Sequence, residues 1–244
     1  MKRRAAVSLL AAALGGPRLA FGEAGGPTPF PSNPKDWPGQ GAIRVFGWMN
    51  DNRKAFWADR ARKQGSIVFA GDSLVGGWNS LGKDFAGLSV ANRGIGAEVT
   101  RGLLFRFQED VLDLHPKAIV LLSGSNDLSA RQDPKLSRAN LAAVLAQAAR
   151  NAPQAPVVLC TIPPRDHPQA PVDPAAHREL NRLITSLADP ARHVVVLDLF
   201  TLLADPDGRP DPAYFGGDRL HLSRAGYQRF HDALVPVFQQ LDVA

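Results

Sequence analysis

Four polar residues, two just beyond apolar runs and two near the C-terminus beyond the last of them, carry the chemistry legible in this chain. They are Ser73 in Gly71-Asp72-Ser73-Leu74, Asn126 in Ser123-Gly124-Ser125-Asn126-Asp127, and the pair Asp218 and His221 in Asp218-Arg219-Leu220-His221. A serine hydroxyl attacks an acyl carbon at neutral pH only with a base in hydrogen-bond reach. His221 is such a base if its other ring nitrogen meets an acceptor that fixes the tautomer and favours the imidazolium formed during attack. Asp218, close upstream in a loop that begins with Gly216 and Gly217, can turn back onto the ring. The oxyanion then needs preorganised donors, each worth about 3 kcal/mol. The N–H groups of Ser73 and of the Gly96-Ala97 turn, with the Asn126 amide, are the candidates. Taken singly, Asp72-Ser73 is an ordinary helix cap and Asn126-Asp127 an ordinary turn or cap. Only their convergence on one edge of a fold makes a site.

That edge is supplied by the elements between them. Residues 66–70, 88–91, 118–122, 157–161 and 194–197 are short and almost wholly apolar, as expected of strands covered on both faces of a parallel sheet. Helical patterns lie between and around them. Residues 44–64 space Phe46, Trp48, Met49, Phe56 and Trp57 among charges before Gly65, residues 136–150 are rich in Ala and Leu, Pro174 opens a helix over 174–188, and Ser223 caps one over 223–241 that Pro236 should kink or shorten. Five buried strands alternating with helices predict one three-layer αβα domain over 44–244. In such sheets ligands gather outside the carboxyl ends of the strands, where all four polar residues fall. Residues 23–43, with five prolines, form an extended lead-in rather than a helix or a sheet interior.

The chain has 244 residues, 45% of them hydrophobic and 21% charged, which excludes disorder throughout and is enough for one well-buried core. Its net charge of +5 suggests an anionic partner at first sight. Lys2, Arg3, Arg4 and Arg18 all lie within residues 1–22, however, and the remaining chain holds 24 basic and 23 acidic residues. Those first 22 residues read as a signal peptide, with a basic start, an apolar stretch over 5–16 and small residues flanking Phe21. Arg3-Arg4 hints at a twin-arginine signal. The stretch is too short to span a membrane, which takes about 20 residues. Elsewhere Lys and Arg are scattered, against a nucleic-acid role.

The lone cysteine, Cys160, sits inside an apolar strand and excludes an internal disulfide framework. His115, His167, His177, His193 and His231 lack partners at metal-ligand spacing, and no metal is expected. Gly94-Ile95-Gly96 is a poor dinucleotide fingerprint, since it follows the second strand and lacks a third glycine. Asp166-His167, in a Pro-rich loop after the fourth strand, could reach a substrate only at the rim.

Gly71-Asp72-Ser73-Leu74, the Gly94/Gly96 turn, Gly124-Ser125-Asn126-Asp127 and Asp218-Arg219-Leu220-His221 together resemble the four ordered blocks of the SGNH, or GDSL, hydrolases. The stretch from Trp48-Met49-Asn50 to Ser73, and Asn92-Arg93-Gly94-Ile95-Gly96, resemble the branch containing the platelet-activating-factor acetylhydrolase catalytic subunits. The resemblance implies Ser73 as nucleophile, Asp218 and His221 as its partners, and Ser73, Ala97 and Asn126 as oxyanion donors, with Gly96 as a fallback. It also implies a flavodoxin-like sheet and no metal or organic cofactor. One departure stands out. Ala97 occupies the position where the second block usually ends in glycine, which is costly, by about 1–2 kcal/mol, only if that turn needs a positive φ.

The expected protein is an exported serine esterase, periplasmic or extracellular, acting on short acyl esters of carbohydrates or small alcohols, since no lid or long apolar insertion is visible. Trp78, Arg93 and Arg131 lie near the expected mouth and are candidate substrate contacts, although surface or packing roles suit them as well. The alternatives are an acyltransferase that replaces water by a sugar hydroxyl, and a non-catalytic carbohydrate-binding protein on the same scaffold, against which the complete Ser/Asp/His/Asn set speaks.

Overall fold

The computed structural model describes residues 25–243 of the chain, so the expected signal peptide at 1–22 lies outside the described residues. Helix α1 (Gly47–Asp59) leads into strand β1 (Ile67–Gly71), followed by the short helices α2 (Ser73–Gly76) and α3 (Leu81–Asp84) and strand β2 (Val90–Gly94). Helix α4 (Thr100–Asp110) precedes β3 (Ala118–Leu122), helices α5 (Ser125–Ser129) and α6 (Pro134–Asn151) precede β4 (Val157–Cys160), and α7 (Pro174–Thr185) precedes β5 (Val194–Leu197). Helices α8 (Leu199–Leu203) and α9 (Arg224–Gln240) complete the chain.

All five strands pair in parallel in the order β2-β1-β3-β4-β5. This is the three-layer α/β architecture with a flavodoxin-like strand order expected above. The chain moves outward from β1 to β2 and then crosses to β3 on the other side of β1, so the strand order reverses between β1 and β3 and a crevice opens above their carboxyl ends. β1 and β3 are buried along their whole length. Each Ile, Val, Leu or Phe fully removed from water there contributes about 1.5–3 kcal/mol. The central strands are therefore a rigid base for whatever follows them.

Several elements differ from expectation. β2 sits two residues later than the apolar run 88–91, because its register against β1 runs from Ile67–Val90 to Gly71–Gly94 and carries the polar Asn92 and Arg93 into the sheet. Helix α4 is not among the helices expected above, although Leu103, Leu104 and Phe107 are spaced to share one buried face. Its inner face includes Arg106 and Asp110, both buried, and the charges mask the pattern. α9 is not shortened by Pro236. The proline lies on an exposed position of the helix, where the carbonyl it leaves unpaired can meet water, while Leu234 and Phe238 are buried on the opposite side. Ser223 caps this helix as expected, accepting from the Gly226 N–H at 3.1 Å. Cys160 is fully buried in β4, and burial pushes its thiol far above the usual range, which leaves it inert.

The proline-rich segment is a strap rather than a loose leader. Trp37 is 5% exposed and stacks on Phe30 and against Phe105, while its indole donates to the Pro31 carbonyl. Arg101 on α4 donates to the carbonyls of Pro34, Trp37, Pro38 and Gly41. Asn140 exchanges two bonds with the Gln40 backbone, and Gln132 accepts from the Ala42 N–H. Prolines deny this segment a sheet ladder, so side chains of the helices satisfy its backbone instead. The strap ends at α1, which begins beside the crevice.

Candidate active site

Ser73 is the first residue of α2, directly after β1. Asp72 caps this one-turn helix, its Oδ1 accepting from the Leu74 N–H at 3.0 Å. Gly94 makes the arrangement possible, because a Cβ there would fall 2.1 Å from the Gly76 nitrogen. α2 therefore lies flat against the end of β2 with the serine at the crevice. Tyr227 of α9 adds a second clamp through its hydroxyl, which donates to the Leu74 carbonyl at 3.1 Å.

His221 reaches Ser73 from the opposite end of the sequence. Its Nε2 lies 2.9 Å from Ser73 Oγ and its Nδ1 2.6 Å from Asp218 Oδ2. Asp218 Oδ1 accepts the backbone N–H groups of Leu220 and His221, both at 3.0 Å. Partial burial works against ionisation of Asp218, but the imidazole bond and the two backbone donors outweigh it and hold the carboxyl at about 2. The loop is closed by the Gly216 N–H bonding to the His221 carbonyl and the Arg219 N–H to Gly216. It is tied across to the loop after β4 by the Asp166–Arg219 ion pair at 3.1 Å and by the Asp166 N–H, which donates to the Arg219 carbonyl. Asp166 thus braces the histidine loop, and its neighbour His167 is held to the Gln169 N–H in its own exposed turn.

The 95–98 turn stands over Ser73. A Cβ built on Gly96 would lie 4.0 Å from Ser73 Cβ. Ala97 has φ 65, so the turn does need the left-handed conformation and the alanine is strained there. Neither the Ser73 nor the Ala97 N–H has an acceptor among the described residues, which leaves both open to the crevice. Asn126 completes the set. One hydrogen of its amide goes to the Glu98 carbonyl at 3.0 Å, which spends one of two donors and fixes the other.

Buried charge holds this turn in place. Arg106 grips Glu98 through two bonds of 2.6 and 2.7 Å and also donates to the carbonyls of Arg93 and Gly71. Desolvation works against the guanidinium, yet Glu98 and Asp110 raise its pKa and keep it charged. Asp127 caps α4 from outside, taking the Thr100 N–H at 3.0 Å and its hydroxyl at 2.6 Å, and is linked through Gln132 to the strap. Arg165 donates to the Ser125 carbonyl and hydroxyl and to the Ala170 carbonyl, pinning the residue before Asn126. Reading the sequence missed these supports, because buried Arg, Glu and Asp look like surface residues until the fold pairs them. The only signal available was their position beside the site blocks.

Two of the three candidate substrate contacts are corrected. Trp78 is 1% exposed, packed among Phe69, Phe85, Tyr227 and Phe230 with its indole donating to Asp84. Arg93 is likewise 1% exposed, paired with Asp59 at 2.6 Å and lying over the Phe56 ring. Both are packing residues and present nothing to a ligand. Arg131 is exposed and lines a cavity of about 440 Å³ with Leu128, Gln132, Pro171 and Val172. Among the described residues no helix is long and apolar enough to cross a membrane, and no three His, Cys, Asp or Glu side chains are grouped to hold a metal.

Residues 64–229 match the GDSL-like lipase/acylhydrolase family. Platelet-activating factor acetylhydrolase IB subunit alpha1 of Rattus norvegicus is 30% identical over 213 residues, 84% of this chain and 86% of that protein. Its Homo sapiens counterpart is 29% identical over 187 residues, 74% and 78% of the two chains. Among solved structures, a GDSL-like lipase from Bacteroides thetaiotaomicron superposes with a TM-score of 0.69 at 22% identity, covering 77% of this chain and 97% of that one. A lipase/acylhydrolase from Enterococcus faecalis does so with a TM-score of 0.58 at 22% identity, covering 72% and 95%.

Proposed function

The chain belongs to the GDSL-like lipase/acylhydrolase family, whose chemistry is ester hydrolysis, and from that premise we propose an exported serine esterase in which Ser73 is the nucleophile, His221 the base and Asp218 its orienting acceptor. The observation that carries this reading is the continuous chain Ser73 Oγ, His221 Nε2, His221 Nδ1, Asp218 Oδ2, at 2.9 and 2.6 Å, beside open backbone donors.

The steps follow from those distances. Ser73 Oγ attacks the ester carbonyl carbon as its proton passes to His221 Nε2, and the imidazolium is stabilised by the ionised Asp218. The carbonyl oxygen becomes an oxyanion facing the N–H groups of Ser73 and Ala97 and the free Asn126 hydrogen, with Gly96 in reserve should Ala97 turn away. Each such donor is worth about 3 kcal/mol of barrier. Collapse breaks the bond to the alcohol, which leaves with the proton from His221. Water then attacks the acyl-Ser73 ester with His221 again as base, releasing the acid and restoring the serine.

Short acyl groups, acetyl above all, carried on a sugar or small alcohol suit the site. A long acyl chain calls for a long apolar groove, and the exposed large apolar residues among those described are three neighbours at the rim. Export rests on the basic and apolar pattern of residues 1–22. The test is a panel of aryl esters of increasing acyl length, offered to the wild type and to Ser73→Ala. Turnover should fall with acyl length and drop by at least about 10³-fold in the variant. Equal activity in both proteins would remove Ser73 from the mechanism. Adding a sugar acceptor and analysing the products separates hydrolysis from acyl transfer.

A further inference from the structure

Val45, Phe46 and Trp48, exposed by 42%, 40% and 51%, are the exposed large hydrophobic residues among those described, and they fall within four consecutive positions. Chance scatter over a surface needs no explanation, but a single cluster does. Phe46 and Trp48 stack with centroids 4.5 Å apart and planes 9° apart, forming one rigid slab. The slab stands at the crevice. Trp48 Nε1 lies 3.4 Å from the carbonyl of Gly96, the residue positioned over Ser73. The strap, clamped to Arg101, Asn140 and Gln132, delivers the segment there and holds it at the rim.

The geometry points to Phe46 and Trp48 as the platform that binds the alcohol portion of the ester, and to a pyranose ring as that portion. This rests on the reading of Ser73 as an esterase nucleophile, and it names what that site accepts. With a short acyl group seated at Ser73, only the alcohol side of the substrate is long enough to reach the rim. A pyranose has an apolar C–H face, which matches an indole face, and a hydroxyl edge, which needs donors. Arg44 supplies the donors. Two residues before Phe46 in sequence, it spends one guanidinium N–H on Ser129 Oγ, at 3.5 Å, on the helix that carries Asn126, and keeps others to offer. A lipid surface would instead call for a contiguous apolar patch of several hundred Å². Three residues flanked by an arginine fit one sugar ring.

Three proteins, wild type, Trp48→Ala and Trp48→Phe, are assayed on a mono-acetylated methyl pyranoside and on ethyl acetate. A stacked aromatic contact is worth enough that the ratio of kcat/KM for the pyranoside over ethyl acetate should fall about tenfold in Trp48→Ala, mainly through KM, and recover in Trp48→Phe. An unchanged ratio would overturn the platform, because a residue that merely props the Gly96 turn would slow both acetates alike. A loss in Trp48→Ala that grows with acyl chain length on ethyl esters would also overturn it, placing the acyl chain on the slab. The two readings fail separately. If Ser73→Ala hydrolyses esters as well as the wild type, the nucleophile assignment falls. The platform is then judged by titrating Ser73→Ala with the methyl pyranoside and following tryptophan fluorescence, where saturable quenching that Trp48→Ala abolishes supports it and its absence refutes it.

Discussion

Asp72 lies directly beneath the nucleophile, and its replacement by asparagine should stabilise the protein in a strongly pH-dependent way. Its carboxyl is 1% exposed, with Oδ1 on the Leu74 N–H and Oδ2 without a partner among the described residues. Burial pushes it from the ordinary 3.8 to about 7, helped by Glu98 and Asp127 and opposed by the Leu74 N–H and Arg165. Below about pH 3 the group is largely protonated in both folded and unfolded chains and carries almost no penalty. As pH rises from there towards 7, the unfolded chain loses its proton first, so stability falls. Above about 7 the loss is complete. A rise of roughly three units is worth about 4 kcal/mol at most, at about 1.4 kcal/mol per unit. Asparagine keeps the Oδ1 acceptor and mimics the neutral acid. Urea unfolding of both proteins at about pH 4.5 and pH 8.5 should give a variant ahead by no more than about 1 kcal/mol at the lower pH and by about 2–4 kcal/mol at the higher. All other titrating groups are common to the pair and largely cancel. A stability difference that does not change between the two pH values would refute the reasoning.

Other outcomes can be checked with the same material. Ala97→Gly releases the positive-φ strain, about 1–2 kcal/mol, against the greater freedom of glycine when unfolded, about 0.4–1 kcal/mol. Urea denaturation should therefore show it up to about 1 kcal/mol more stable with ester turnover preserved, and clear destabilisation would contradict the strain. Asn126→Ala removes one oxyanion donor and should lower kcat about 10²–10³-fold with KM little changed, as steady-state kinetics on an aryl acetate would show. Asp218→Asn leaves His221 in the wrong tautomer and should cost on the order of 10⁴ in kcat. Because the Asp218 carboxyl is held low, its stabilising bond to His221 is present above about pH 4 and lost only as pH falls towards 2. A pH profile of activity should accordingly show no acid limb assignable to Asp218 above about pH 4.

Apolar periodicity revealed the sheet because β1, β3 and β4 are short, apolar and covered on both faces, and because β5, at the edge and only half-buried, is apolar as well. It failed where the chain approaches the site. β2 runs on through Asn92 and Arg93, and α4 buries Arg106, so polar residues interrupt the pattern at the places where the crevice is built. Ser73 and Asn126 were legible as chemically distinctive residues just after strands, and Asp218 and His221 as a closely spaced acid and base in the loop before α9. The strain at Ala97 was legible only as a condition on the turn, which the backbone then met at φ 65. Trp78 and Arg93 were misplaced because closeness in sequence to the site blocks says nothing about which way a side chain faces. Trp48 shows the converse. Its aromatic character suggested the buried side of a helix, and only the docking of the strap against α4 and α6 turns it outward beside Gly96.

The central claim is that an ester's acyl group passes through Ser73. Mass spectrometry of the enzyme acid-quenched during turnover of an aryl acetate tests it most directly. An acetyl adduct should appear on the peptide carrying Ser73, reach a steady state within the pre-steady-state burst, persist longer in His221→Ala if it forms there at all, and be absent from Ser73→Ala. Turnover with that peptide unmodified, or an adduct on another residue that tracks the burst, would contradict the account.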